Sequence, residues 1–464
     1  MTNSFDVTSP FDGAVLATLK MTDGPSAEAA IARADALHRD RSLWLDAPTR
    51  IAILERFVAL VSARTEEFAR QAAREGGKPL KDSRIEIVRA IDGTKAAIKE
   101  ISQLHGTEVP MGLDAASLHR VAHTFREPRG VVLAISAFNH PFNLIIHQAI
   151  TAIAAGCPVL VKPAATTCLS ALSIVDLLSE AGLPEGWCQL LLCDHGITES
   201  LVSDPRLAFM TFIGSAKVGW YLRSKLAAGA TCALEHGGVA PALVDMTADI
   251  DAAIAPLTRG GFYHAGQVCV SVQRVYVHRS IAEEFAQKFV AAVEQLNTGD
   301  PLAEDTDVGP LITSKEVDRV DSWVQEALKG GAKLLIGGQR ISATTYEPTI
   351  LLNPSDDAKI SQLEVFGPVV ALYTYDDLDE AIARANALDV SFQACVFTSD
   401  LNTALGASRR LNGATVMVND HTAFRVDWMP FGGHRQSGLG MGGIGHTMRD
   451  MTLERMIVMH SSSL

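Results

Sequence analysis

The sequence predicts an α/β protein of two domains, each built around an open and mostly parallel sheet. Three observations carry this. Short apolar runs alternate with helical segments through the middle of the chain, starting at GVVLAIS (residues 130–136). Strands that alternate with helices require βαβ crossovers, and therefore parallel pairing. A second alternating region follows Glu235, and a length of 464 residues accommodates two or three domains with large cores.

The helical region comes first. From about residue 25 to 105, AAIARADALHR, RIAILERFVALVSAR and IEIVRAIDGTKAAIKEI carry apolar residues at three- and four-residue spacing, the helical period. The polar stretch HGTEVPMGLDAASLHRVAHTFREPRG then reads as turns and short strands. GVVLAIS, PVLVKPA, WCQLLLC and LAFMTFIG read as buried strands, separated by helices such as LSALSIVDLLSEAG. Beyond a hinge near 233–238, RVYVHRS, KLLIGG, TILLN, VVALYTY and ATVMVND are the strand candidates, with a helix around IAEEFAQKFVAAVEQL. The tail MTLERMIVMHSSSL holds an apolar strand-like run that needs a partner.

Composition narrows the function classes. With 47% hydrophobic and 20% charged residues the chain is an ordinary globular protein, and disorder is excluded. A formal charge of −13 excludes nucleic acid and anionic membrane surfaces as partners. The run LIIHQAITAIAAGCPVLV (residues 144–161) imitates a membrane span, but His147, Gln148 and the break at Gly156–Pro158 make it a buried helix entering a buried strand. Seven cysteines, an odd number without CxxC spacing, suit free thiols in a reducing cytoplasm and no structural metal. MTNSFDVTSPFDG lacks the cationic and apolar regions of a secretory signal, in keeping with a cytoplasmic location.

The chemistry concentrates in a few motifs. Cys269 lies in GFYHAGQVCVS and Glu235 in ALEHGG. A thiolate attacks carbonyl carbon, and a carboxylate activates the water that later releases an acyl group. In MTFIGSAKVG a strand runs into Gly214–Ser215 and then a helix, so backbone N–H groups can approach a pyrophosphate. The spacing is not GxGxxG, and an ordinary tight turn fits equally well. Lys162 of VLVKPA falls at the C-terminal end of a strand, where open α/β sheets bind ligands, although a surface lysine is the bland reading. Asn139 in ISAFNHPFNL offers a neutral amide donor to an oxyanion, or is simply a turn residue. EVFGPVV supplies Glu364 for ribose hydroxyls and Phe366 to brace a flat ring, or a loop acid and a core aromatic. Gly438, Gly440 and Gly443 fit GxGxxG on paper but follow a polar loop without a strand, and read as loop structure.

Taken together, Asn139, Lys162, Gly214–Ser215, Glu235, Cys269 and EVFGPV in this order, with NDHTAFRVDWMPFGGHRQSGLG after them, resemble the aldehyde dehydrogenase superfamily over nearly the whole length. The resemblance implies an aldehyde dehydrogenase-like fold: a Rossmann-like nucleotide domain (1–106 and 129–234), an α/β catalytic domain (235–440) and a small β oligomerisation extension (107–128 and 441–464). It implies NAD(P)-dependent oxidation of an aldehyde to its acid through a thiohemiacetal and thioester on Cys269, with Asn139 and the Cys269 N–H holding the oxyanion and Glu235 activating water. Lys162 and Glu364 would hold the two riboses, Ser215 the pyrophosphate, and the assembly would be a homodimer or homotetramer.

Four departures from the family pattern stand out. KPAA places Ala165 where the family often has a glutamate on the adenosine ribose, which tilts the choice between NAD and NADP towards NADP. His236 replaces a leucine, His264 an asparagine, and GMGGIG the usual GREGG, a form associated with relatives acting on small polar aldehydes. His140 and Arg425 are placed to hold a carboxylate, phosphonate or sulfonate on the substrate, whereas Val268 beside the nucleophile is not. Two other readings compete: an acylating enzyme that passes the thioester to coenzyme A, disfavoured by Glu235, and a non-catalytic descendant of the fold, disfavoured by retention of Cys269, Asn139 and Glu235.

Overall fold

The computed structural model describes residues 4–464. Its first sheet has the order Gly438–Leu439, Thr231–Glu235, Leu207–Ile213, Val131–Ile135, Val159–Lys162, Cys188–Leu190, and every pair except the first is parallel. Strand order reverses between Val131–Ile135 and Leu207–Ile213, which is the point where such sheets open a crevice at their carboxyl ends. Register aligns those ends. Ile135 lies opposite Lys162 on one side and Phe212 on the other, and Ile213 opposite Glu235.

Alternation decides which face each strand residue serves. Val132 and Ala134 enter a core with Phe57, Phe68, Ile146, Ile153 and Met448, while Leu133 and Ile135 enter another with Ile31, Leu160, Met210 and Phe212. The helices Ala47–Ala63, Thr65–Gly76 and Leu80–Glu100 thus cover one face of this sheet. Each fully buried phenylalanine there contributes roughly 1.5–3 kcal/mol. The apolar run at 144–161 becomes the buried helix Asn143–Ala155 followed by Val159–Lys162, and residues Ile146–Ile150 of that helix form a π turn. No helix among the described residues is long and apolar enough to cross a membrane.

The chain crosses to a seven-stranded sheet directly after Glu235. The order is Lys333–Ile336, Thr349–Leu352, Val369–Tyr375, Val272–His278, Ala240–Val244, Gln393–Phe397, Thr415–Val418, parallel apart from the first pair. The final strand, Thr452–His460, pairs antiparallel with Arg120–Pro128, and Glu108–Val109 completes a three-stranded sheet. Leu453, Met456, Ile457, Val458 and Met459 remain exposed on it.

Near residue 438 the chain returns from the second sheet to the first. Gly438–Leu439 pairs with Thr231–Glu235, and the helix Ile444–Asp450 buries Ile444 and Met448 in the core of the first sheet, with Met451 just beyond. The 4- and 3-residue spacing of these apolar residues is what docks the segment there. Of residues 441–464, Thr452–His460 is the part that joins the third sheet.

Candidate active site

The aligned carboxyl ends of the first sheet face the second sheet across one cavity of about 850 Å³. Asn139, His140, Lys162, Gly214, Ser215, Glu235, His236, Cys269, Glu364, Phe366 and Arg425 all line it. Ala165 lies one step away, exposed behind Ala164, and His264 is buried outside the cavity wall.

The loop that carries Cys269 is shaped by backbone. After the helix Ile250–Phe262, His264, Ala265 and Gly266 take left-handed φ values of 49°, 55° and 70°. Gly266 is required there, because a β-carbon would collide with the Gly367 carbonyl. The turn delivers Gln267, whose Oε1 accepts from Ile312 N (3.0 Å) and whose Nε2 donates to Pro310 O (3.2 Å). Cys269 then lies in the tight turn closed by Ser271 N on Val268 O (2.9 Å), just before the strand Val272–His278. Asn139 meets this loop directly, its Nδ2 donating to Gln267 O at 2.9 Å. The amide has a second hydrogen for another acceptor. Phe142 and Asn143 anchor the segment that carries Asn139: the buried Glu86 carboxylate accepts from both backbone N–H groups (2.9 Å each) and pairs with buried Lys78.

Glu235 ends its strand against the same turn. Its carbonyl accepts from Gly214 N (3.0 Å), and the Cys269 carbonyl accepts from Gly238 N (3.1 Å). Burial raises the Glu235 carboxyl above the usual range, with Arg425 opposing. Burial also pushes the Cys269 thiol well up, reinforced by Glu235 and Glu364 and opposed by Arg425. A β-carbon on Gly442 would strike both the Glu235 carboxylate and the Phe431 carbonyl, which gives one glycine of GMGGIG its physical reason. Behind Glu235 a small polar cavity of about 10 Å³, bordered by Gln148, Thr211 and Thr447, has room for a single water.

At one end of the large cavity the residues fit a dinucleotide. Ile213–Gly214–Ser215 is a strand–turn that opens the helix Ala216–Lys225. Glu364 has a buried oxygen without a partner, is raised to about 8 by burial, and stands against Gly237, where only glycine leaves room. Lys162 has no carboxylate within 4.0 Å among the described residues, and burial lowers its pKa. Phe366 sits in the left-handed region at φ 45° and meets Phe138 edge-on at 5.7 Å. His236 donates from Nδ1 to Gln436 O (2.9 Å) and packs edge-on against Phe212 and Trp220, against a Gly219 that leaves it space.

The other end is cationic. Arg425 lies over the Phe431 ring at 3.6 Å, its Nε is buried without an acceptor, and no carboxylate lies within 4.0 Å of it among the described residues. Arg89 also lines the cavity and is paired with buried Asp427 (2.8 Å). His140 sits beside Tyr263 (Nε2 to hydroxyl 3.4 Å), and burial lowers its pKa far enough to keep it neutral. Asp427 is taken by Arg89, so Arg425 has no direct ion pair among the described residues, and Glu235 is the carboxylate that acts on it most. Sequence reasoning had no signal for Arg89, which reads as the solvated face of an amphipathic helix, nor for Asp427 and Tyr263.

A cysteine loop facing a strand–turn–helix nucleotide cradle across one cleft defines a class: cysteine-dependent oxidoreductases on a two-sheet α/β scaffold. Comparison with known proteins gives the particular family. Residues 1–457 match the model of the aldehyde dehydrogenase family. The chain is 40% identical over 449 residues to 3-sulfolactaldehyde dehydrogenase of Priestia aryabhattai, covering 95% of this chain and 94% of that one. It superposes on aldehyde dehydrogenase 21 from Physcomitrella patens in complex with the reaction product succinate, with a TM-score of 0.95, 36% identity, and 99% and 95% of the two chains covered. It also superposes on the glyceraldehyde-3-phosphate dehydrogenase from Methanocaldococcus jannaschii complexed with NADP, with a TM-score of 0.93, 33% identity, and coverage of 98% and 99%. The chain belongs to the aldehyde dehydrogenase family.

Proposed function

We propose that this enzyme oxidises a short aldehyde bearing one anionic group remote from the carbonyl, with 3-sulfolactaldehyde the first substrate to assay. The observation that carries the reading is Arg425, which lines the cavity that also holds Cys269 and has no carboxylate within 4.0 Å among the described residues. The three relatives add weight, since their names specify a sulfonate, a carboxylate and a phosphate respectively.

In this reading Cys269 adds to the aldehyde carbon as a thiolate. Asn139 Nδ2 and the Cys269 N–H hold the resulting oxyanion. A bound dinucleotide, NAD or NADP, would supply the hydride acceptor for oxidation of the adduct to a thioester. Ser215 and Gly214 would bind its pyrophosphate, Lys162 and Glu364 its riboses, and Phe366 would brace the ring. Glu235, with its raised pKa, takes a proton from water that attacks the thioester and frees the acid. The absence of an acid at Ala165 favours NADP, because a 2′-phosphate there meets no repulsion. Arg425 and Arg89 face the anionic end, with His140 beside the oxyanion site. Residues 4–106 and 129–234 would form the nucleotide domain, residues 235–437 the catalytic domain, and the exposed apolar sheet containing Thr452–His460 would join subunits into a dimer or tetramer. Seven free thiols favour the cytoplasm.

The test is NAD(P)H absorbance with a panel of neutral and anionic aldehydes, in both cofactors, with and without coenzyme A. Expected is Cys269-dependent reduction, strongest with anionic aldehydes and independent of coenzyme A. A strict coenzyme A requirement would replace hydrolysis by acyl transfer. Arg425→Leu removes a charge-assisted contact worth ~1.5–3 kcal/mol, so kcat/KM for anionic aldehydes should fall roughly 10–100-fold relative to neutral ones. Gly442→Ala should displace the Glu235 carboxylate and lower turnover by roughly 100-fold. Urea unfolding of the same variant separates this from instability.

A further inference from the structure

We propose that His147 and Asp427 are positioning residues that hold the Arg425 guanidinium towards the substrate's anionic end, and so set the preference for charged over neutral aldehydes. The proposal rests on Arg425 being the anion-binding group of the proposed function.

The hydrogen bonds define one orientation. Asp427 Oδ1 receives Arg89 Nη2 (2.8 Å), His147 Nε2 (2.7 Å) and Asn143 Nδ2 (3.2 Å), and Oδ2 receives Arg89 Nε (3.1 Å). A carboxylate oxygen only accepts, so His147 carries its hydrogen on Nε2. The Nδ1 of a neutral ring is then a lone pair, and it faces Arg425 Nη2 at 3.4 Å. Burial first, and then the Arg425 charge, lower the His147 pKa to about 4, so the ring stays neutral and can accept. Burial opposes ionisation of Asp427, but the His147 bond and Arg89 outweigh it and hold the carboxyl far below its usual range.

The guanidinium is thereby fixed on two sides, by His147 at one edge and by Phe431 under its face. Its other N–H groups make no hydrogen bond to protein among the described residues. Asp427, saturated by Arg89, His147 and Asn143, is not available to neutralise it directly. The backbone supports the arrangement, because His147 lies in the π turn Ile146–Ile150, and such turns recur at functional sites. A cation held in place before the substrate arrives binds an anion without paying for reordering.

Replacing His147 separates the two contacts. An asparagine oxygen takes the Nδ1 position and can accept from Arg425, whereas a glutamine reaches only the Nε2 position beside Asp427. The measurement is the ratio of kcat/KM for succinic semialdehyde to that for butanal in His147→Asn, His147→Gln, His147→Leu and Arg425→Leu. Expected is a fall of roughly 10–100-fold in the Gln and Leu variants, expressed mainly in KM, with substantial recovery in His147→Asn. A ratio that stays within about twofold of native in His147→Gln and His147→Leu, while Arg425→Leu lowers it, overturns the positioning role alone. An unchanged ratio in Arg425→Leu overturns the anion site and this proposal with it.

Discussion

Cys269→Ala is expected to abolish aldehyde-dependent NAD(P)H formation, a loss of at least ~10⁴-fold, while the fold survives. The side chain sits at the tip of a backbone-defined turn, and nothing in that turn depends on sulfur. The left-handed residues 264–266 and the Gln267 bonds to Pro310 and Ile312 shape it. Thermal unfolding should therefore change little while absorbance at the reduced-cofactor band stays flat for every aldehyde. The native enzyme should also show a marked pH dependence. Burial and the two neighbouring carboxylates raise the thiol above its usual value, so the thiolate fraction, and the acylation rate, rise with pH through the neutral range into the alkaline. Retained turnover in the alanine variant would remove the covalent pathway altogether.

Glu235→Gln should act on the second half of the reaction. In the proposed mechanism the variant keeps nucleophile, oxyanion donors and nucleotide cradle but has no base for water. The expected result is a burst of about one equivalent of reduced cofactor per subunit, then a steady state lowered roughly 10²–10⁴-fold. Stopped-flow absorbance resolves the two phases. The substitution also removes one of the charges that raise the thiol, so the alkaline limb of the burst rate should shift to lower pH. Loss of the burst together with the steady state would make Glu235 the base for Cys269 itself.

Much of this architecture is readable in the chain, for identifiable reasons. Buried parallel strands such as Val131–Ile135 and Val159–Lys162 are continuous apolar runs, and their ends carry Asn139 and Lys162. Those positions are visible because each residue comes at or just after the end of a strand. The cationic end is different. Arg89 lies 338 residues from Asp427 in sequence, on a helix whose periodicity marks it only as amphipathic. His147 reads as a polar interruption in an apolar run, and neither the π turn nor its tautomer leaves a local signature. Gly442 is conspicuous only as a departure from a family pattern. Its reason, contact with Glu235, needs the return of the chain to the first sheet.

A hydrolytic pathway requires an acyl group on Cys269, which mass spectrometry detects as added mass. Glu235→Gln enzyme is mixed with an anionic aldehyde and NADP, quenched in acid after the burst, and digested. The peptide containing Cys269 is expected to gain the mass of the acyl group, and Cys269→Ala enzyme to gain none. An unmodified Cys269 peptide after a full burst of reduced cofactor would rule out the acyl-enzyme pathway.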